Sequence, residues 1–252
     1  MRILFAFLFL HFAVFGQTVP ATMNDGMNDT TINKTDAQGR KQGIWRDRSV
    51  GVISEGLYLN NVKEGAWKQY FANGMVNMVD EYRNGKKNGI SLELKNTGYL
   101  RKQAYYKDDL LHGKYVLYTP SGRTELEQTY LNGKLNGPKK TYYSNNKIQE
   151  ESFYVDDQRD SITKWYYEDG KLSIEYNYKK GSLEGVQKTY YKDGALNTET
   201  NYVNNMMDGF YREYYEDGKT LKTEGTYKKD NKVGVWKEYD KTGKVIKTEK
   251  FK

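Results

Sequence analysis

The chain of 252 residues contains no cysteine. That absence excludes disulfides, thiolate zinc sites and lipid attachment through an N-terminal cysteine. Histidine is scarce, at two residues, and beyond residue 16 only His112 remains. No Ser-His-Asp or Cys-His set can be built around it without a second positioned group, and the chain has no motif for one. No Gly-rich loop follows a strand and opens a helix, so nucleotide binding has no support. Aliphatic residues are sparse past the first 16, which rules out a thick globular core. Tyrosine, by contrast, is abundant at 24 residues, and its amphipathic rings suit covering a sheet.

The first 16 residues form a separate segment. Arg2 precedes an apolar run from Ile3 to Phe15, which is followed by Gly16. A basic start, a short apolar stretch and a small residue at the boundary describe a secretory signal peptide. The run is too short for a spanning helix, which needs about 20 apolar residues. Residues 17–32 are small, polar and aperiodic, and read as a flexible leader. Export without disulfides suits a Gram-negative envelope, so the expected location is the periplasm, the cell surface or the medium. The net charge of +7 falls by one when Arg2 is removed. Lysine and glutamate are interleaved, which describes a mildly basic mixed surface and not a basic tail.

Residues 33–252 carry a period. Gly65, Gly89, Gly113 and Gly137 stand 24 apart, Ser161 takes the next place, and Gly185 and Gly209 resume the count. Gly43 precedes the series by 22 and Gly234 follows it by 25. A period of this size marks a repeat array, in which small units stack because none buries a core alone. With each glycine numbered zero, positions eight and nine read Asn73-Gly74, Asp169-Gly170, Asp193-Gly194 and Asp217-Gly218, with Asn145-Asn146 as a variant. These dipeptides predict two-residue type I′ turns. A second turn falls at positions nineteen and twenty, as in Asn84-Gly85, Asn132-Gly133 and Asp156-Asp157. Two turns per unit mean two strands. The fold class is therefore all-β, with repeated antiparallel β-hairpins in an elongated, twisted meander sheet.

The first turn predicts a register in which position three faces position fourteen. Lys140, Lys164, Lys188 and Arg212 would then face Glu151, Glu175, Glu199 and Glu224 as cross-strand ion pairs. Tyr70, Tyr118, Tyr142, Tyr166, Tyr190, Tyr214 and Tyr239 at position five belong beside these pairs. The opposite, more apolar face gathers Phe71, Tyr143, Tyr167, Tyr191 and Tyr215 at position six. Val76, Leu100, Ile148, Leu172 and Leu196 join them, together with the column from Tyr82 to Tyr202. An apolar face usually marks an interface. Phe71, Tyr143, Tyr167, Tyr191, Tyr215, Leu172 and Leu196 are accordingly the candidate contact residues, the alternative being that these rings pack only on each other.

The recurring Gly-x-Trp-x-x-Tyr of Gly65 to Tyr70 and Gly234 to Tyr239 resembles the MORN repeat. So does the Tyr-x-Asn-Gly-Lys-x-x-Gly of Tyr82 to Gly89 and Tyr130 to Gly137. The Tyr-Tyr-x-Asp-Gly-Lys-Leu of Tyr166 to Leu172 is similar to the variant in YwqK-type antitoxins, and Asn33 to Trp45 resembles the entry half-repeat of exported MORN proteins in Bacteroidota. The resemblance covers about residues 33–252. It departs at Leu94 and Lys95, which replace the aromatic pair, and at Asn146, Asp157 and Ser161, which replace glycines. It implies an array of eight to nine units whose partner is another protein, a toxin or an envelope component.

Three function classes follow. The first is a protein-binding or scaffolding module of the cell envelope, with an antitoxin as its specific form. The second is a binder of glycans or anionic polymers through the tyrosine-rich face. The third, an enzyme, lacks its catalytic groups. Asp108-Asp109 and Asp156-Asp157 offer oxygens, but a calcium loop needs about six in a set spacing, so neither metal nor cofactor is expected. Export and interleaved acids argue against nucleic acid, and a monomer is expected.

Overall fold

The computed structural model describes residues 31–49 and 51–252; residues 1–16, read from sequence as a signal peptide, and residues 17–30 of the expected leader lie outside the described residues. The strands are β1 (Lys34–Thr35), β2 (Lys41–Ser49), β3 (Val52–Leu59), β4 (Val62–Tyr70), β5 (Val76–Arg83), β6 (Lys86–Leu94), β7 (Leu100–Lys107), β8 (Leu110–Tyr118), β9 (Thr124–Leu131) and β10 (Lys134–Tyr142). They continue as β11 (Ile148–Val155), β12 (Gln158–Tyr166), β13 (Leu172–Lys179), β14 (Ser182–Leu183), β15 (Gly185–Tyr190), β16 (Leu196–Val203), β17 (Met206–Tyr214), β18 (Leu221–Lys228), β19 (Asn231–Tyr239) and β20 (Val245–Phe251). Each pairs antiparallel with its sequence neighbour, except that β14 and β15 together form the strand following β13. No helix occurs among the described residues. The result is one open meander, as the two-turn period requires.

The two turns differ in kind, and the type I′ assignment at positions eight and nine is incorrect. There only the ninth residue has a positive φ, as at Gly74 (83°), Gly170 (91°) and Asn146 (67°). In the Asp169 turn, Gly170 N–H donates to the Tyr167 carbonyl and Tyr167 N–H to that of Lys171. This is a three-residue loop, a turn closed by a left-handed residue. The Asp169 side chain explains its own presence: Oδ1 accepts from the N–H of Lys171 at 3.0 Å, a local bond typical of Asx turns. The left-handed pairs sit instead at positions nineteen and twenty, as in Asn84 (51°) with Gly85 (78°) and Asp156 (47°) with Asp157 (67°). These are the I′ turns.

The predicted charge register nevertheless holds, because a bulge at position twelve restores it. Tyr166 pairs with Leu172, Ser173 is skipped, and Trp165 pairs with Ile174, so that Lys164 meets Glu175. The same shift recurs in the other 24-residue units. A second irregularity sits at each repeating glycine, where the backbone is left-handed and a tyrosine or phenylalanine stands opposite, as in Gly65 with Tyr82 and Gly234 with Phe251. Ser161 keeps that place with φ 65° and pairs with Tyr178. The fifth and sixth units thus retain the common pairing despite their missing glycines.

Strand alternation separates an aromatic face (positions zero, two, four, thirteen, fifteen and seventeen) from a charged face (positions one, three, five, fourteen and sixteen). Burial concentrates on the aromatic face, at Trp67, Asp80, Ser91, Ala104, Ser152, Thr163, Gln187, Thr200 and Trp236. Large and small residues alternate across strands there. Trp236 lies on Gly225 so closely that a Cβ would collide with its ring, and Trp67 lies likewise on Gly56. Each indole N–H donates to a backbone carbonyl, from Trp67 to Leu57 at 3.1 Å and from Trp236 to Thr226 at 3.2 Å. The core is a single layer of rings roofing small and polar side chains.

Candidate functional site

The position-six residues, proposed from sequence as contact residues, form a ladder. Tyr143, Tyr167, Tyr191 and Tyr215 are half-buried, and each hydroxyl donates to the backbone carbonyl one unit ahead, at Tyr166, Tyr190, Tyr214 and Tyr239, all at 2.7 Å. Phe71 holds the equivalent place without a hydroxyl and is also half-buried. Leu172 and Leu196 stand opposite Tyr166 and Tyr190, since the bulge moves them away from the Tyr178 and Tyr202 column. The seven residues therefore divide between a loop-edge clamp and two cross-strand pairs, and their polar atoms are spent on neighbouring units.

On the charged face the ladder of ions is present. Lys140 reaches Glu151 at 2.7 Å, Lys164 reaches Glu175 at 3.5 Å and Lys188 reaches Glu199 at 3.4 Å. Arg212, paired in register with Glu224, turns instead toward Glu199 at 4.0 Å, and Lys237 takes Glu224 at 3.8 Å. Position-five tyrosines complete the lattice: Tyr166 donates to Glu151 at 2.8 Å and Tyr214 to Glu199 at 3.0 Å. Burial, then the bond to Glu151, pushes the Tyr166 phenol up to about 12. Hydrogen bonding from Lys140 pulls the Glu151 carboxyl down. Repetition in successive units marks these groups as cross-strand glue, each pair contributing about 0.2–1 kcal/mol.

The ladder is interrupted by an apolar spot that sequence reasoning missed. Pro138 faces Phe153 across β10 and β11, and Ile162 follows on β12. Pro138 is exposed, Phe153 is 41% exposed and Ile162 is 46% exposed. With Lys140, Glu151 and Lys164 they line a shallow groove of about 310 Å³. The signal was available at positions one and sixteen, which hold apolar residues together here, as they do at Ile44 with Leu57 and Ile90 with Tyr105, but Lys114 and Thr129 in the unit before.

Elsewhere, His112 Nδ1 lies 3.2 Å from Asn132 Oδ1. The Asp doublets serve turns: Asp109 accepts from Lys87 N–H and Asp157 from Leu135 N–H, both at 2.7 Å. Among the described residues no group of three or more acids and histidines is placed to hold a metal.

An open antiparallel sheet of repeated hairpins, knitted by ring ladders and cross-strand ions, defines a β-hairpin repeat protein. Five segments match the MORN repeat variant family, at residues 63–86, 135–156, 159–180, 183–204 and 232–252, which supports a MORN-repeat protein. Of the unmatched units, those that begin at Gly89, Gly113 and Gly209 have the same left-handed glycines and bulges. No curated protein matches the chain. Repeats of this kind often bind membranes or proteins and are generally non-enzymatic.

Proposed function

We propose that this chain is an exported, non-enzymatic module of the cell envelope that holds another protein against the charged face of its sheet, centred on Phe153 and Ile162. The observation that carries this reading is the groove: an aromatic and an aliphatic side chain stand exposed together, ringed by charges already committed to cross-strand pairs. Interface centres favour such anchors, with polar groups at the rim. The position-six tyrosines suit the alternative role of internal packing, because each hydroxyl is tied to the chain's own backbone.

A toxin is the specific form of partner, on the resemblance of Tyr166 to Leu172 to antitoxin repeats; an antitoxin would occlude its target through this groove. The apolar run of Ile3 to Phe15 supports export. The test compares two double variants for thermal stability and for capture of a partner from envelope extract. Phe153→Ser with Ile162→Ser should keep the melting temperature within a few degrees and abolish capture. Tyr167→Ser with Tyr191→Ser should lower stability. Capture that survives loss of the groove would reject the reading.

A further inference from the structure

The aromatic face carries cations over its rings, and only in its first units do they stand in consecutive repeats. Two residues before each repeating glycine or serine stand Lys41, Lys63 and Lys87 in succession, whereas Arg159 and Lys232 hold the same place singly, separated by Leu111, Leu135, Leu183 and Met207. Lys41 Nζ lies 4.3 Å from the Trp45 ring centre and 4.7 Å from that of Tyr58. Lys63 Nζ lies 4.0 Å from Trp67 and 5.0 Å from Tyr82. Lys87 Nζ lies 5.3 Å from Tyr106. The rings beneath run edge to face, Trp45 to Tyr58 at 5.9 Å, Tyr58 to Trp67 at 4.9 Å and Trp67 to Tyr82 at 6.4 Å. Such a base fixes where each ammonium sits.

The acids nearby are fewer than the cations. Asp47 lies 3.6 Å from Lys41, and Asp80 lies 2.9 Å from Lys87. Asp80 is 3% exposed, and its second oxygen has no hydrogen-bond partner. No carboxylate is within ion-pair distance of Lys63 among the described residues; burial against the rings pulls its ammonium pKa down. A half-buried cation that feels Asp47 and Asp80 only from beyond ion-pair distance gains from an anion that arrives with little competing water. The Lys41 and Lys87 side chains remain 33% and 29% exposed, so the row can be reached.

We propose that this row binds an anionic polysaccharide carrying one acid group per disaccharide. Successive lysines are two strands apart, about 10 Å, which is comparable to the length of a β-linked disaccharide. A linear glycan laid across the strands presents one carboxylate to each ammonium. Its sugar rings lie beside half-buried Tyr58, Tyr82 and Tyr106, whose amphipathic rings suit such contact. Nucleic acid fits less well, since its phosphates follow one another far more closely than the lysines do. The site is on the face opposite the Phe153 groove, so the two proposals fail independently.

Titration calorimetry with hyaluronate oligosaccharides, one carboxylate per disaccharide, tests this. Uncharged chitin oligomers and phosphatidylglycerol vesicles serve as competing arms. Hyaluronate should bind while chitin oligomers do not, and binding should weaken as salt is added. Lys63→Gln should weaken it about tenfold, as expected for loss of one charge-assisted contact. Lys63→Arg, which keeps a cation on the rings, should restore it, and Lys139→Gln on the same face outside the row should leave it unchanged. Circular dichroism melting confirms that each variant is folded. Equal binding of chitin oligomers, binding to vesicles alone, no hyaluronate binding, or indifference to Lys63→Gln would each overturn the proposal.

Discussion

At the scale of single residues, the repeating glycines fall into two kinds. A Cβ at Gly43, Gly65, Gly185 or Gly234 would meet nothing within 4 Å, and φ there lies between 63° and 79°. At Gly209, with φ 123°, a Cβ would press on Asn201 at 2.9 Å. Ser161, at φ 65°, belongs to the roomy kind, which explains how a serine replaces a glycine without breaking the array. Gly185→Ser should therefore cost about 1 kcal/mol, the strain of a left-handed non-glycine. Gly209→Ser should cost at least about 1 kcal/mol more, through overpacking. Denaturant titration of the two variants measures the difference, and equal losses would refute the distinction. The glycine period was legible in the sequence because each bulge demands a positive φ. The turn type was not, since Asn-Gly and Asp-Gly serve both a left-handed pair and a turn capped by its own Asx side chain.

At the scale of elements, the hairpin is the unit that folds and the tyrosine ladder joins one hairpin to the next. Tyr167→Ser with Tyr191→Ser removes two half-buried rings and two bonds to backbone, a loss of several kcal/mol. Because stability in a repeat array is a sum of unit and neighbour terms, hydrogen exchange should rise first around β13 to β17. A uniform rise across all units would contradict this. The phenols at position five predict an alkaline limit. Tyr166 and Tyr239 are pushed up to about 12 from 10.0, Tyr166 first by burial and Tyr239 first by its bond to Glu224. A folded-state pKa above the unfolded one contributes stability that is present below pH 10 and lost as pH rises through about 12. The melting temperature should hold to about pH 10 and then fall as tyrosinate absorbance rises. The Lys–Glu register was readable because the bulge at position twelve cancels the extra loop residue. The face of Leu172 and Leu196 was not, because the same bulge breaks the odd-even count and sends them toward position five; the exposed Phe153 sits on strand positions that vary between units.

At the scale of the whole molecule, nearly all strand pairing among the described residues is between sequence neighbours, so no strand pairing there folds one end of the sheet onto the other. Nineteen strand positions, β14 and β15 sharing one, at about 4.8 Å imply a length of roughly 90 Å, with both faces accessible. The charged face and the aromatic face can then carry separate ligands, which a folded-back array would forbid by hiding one of them. Small-angle scattering from residues 31–252 tests that claim most directly. The expected longest dimension is near 90 Å, with a radius of gyration well above the roughly 17 Å of a compact domain of this length. A radius close to that compact value would contradict it, and with it the reading of the sheet as an open platform.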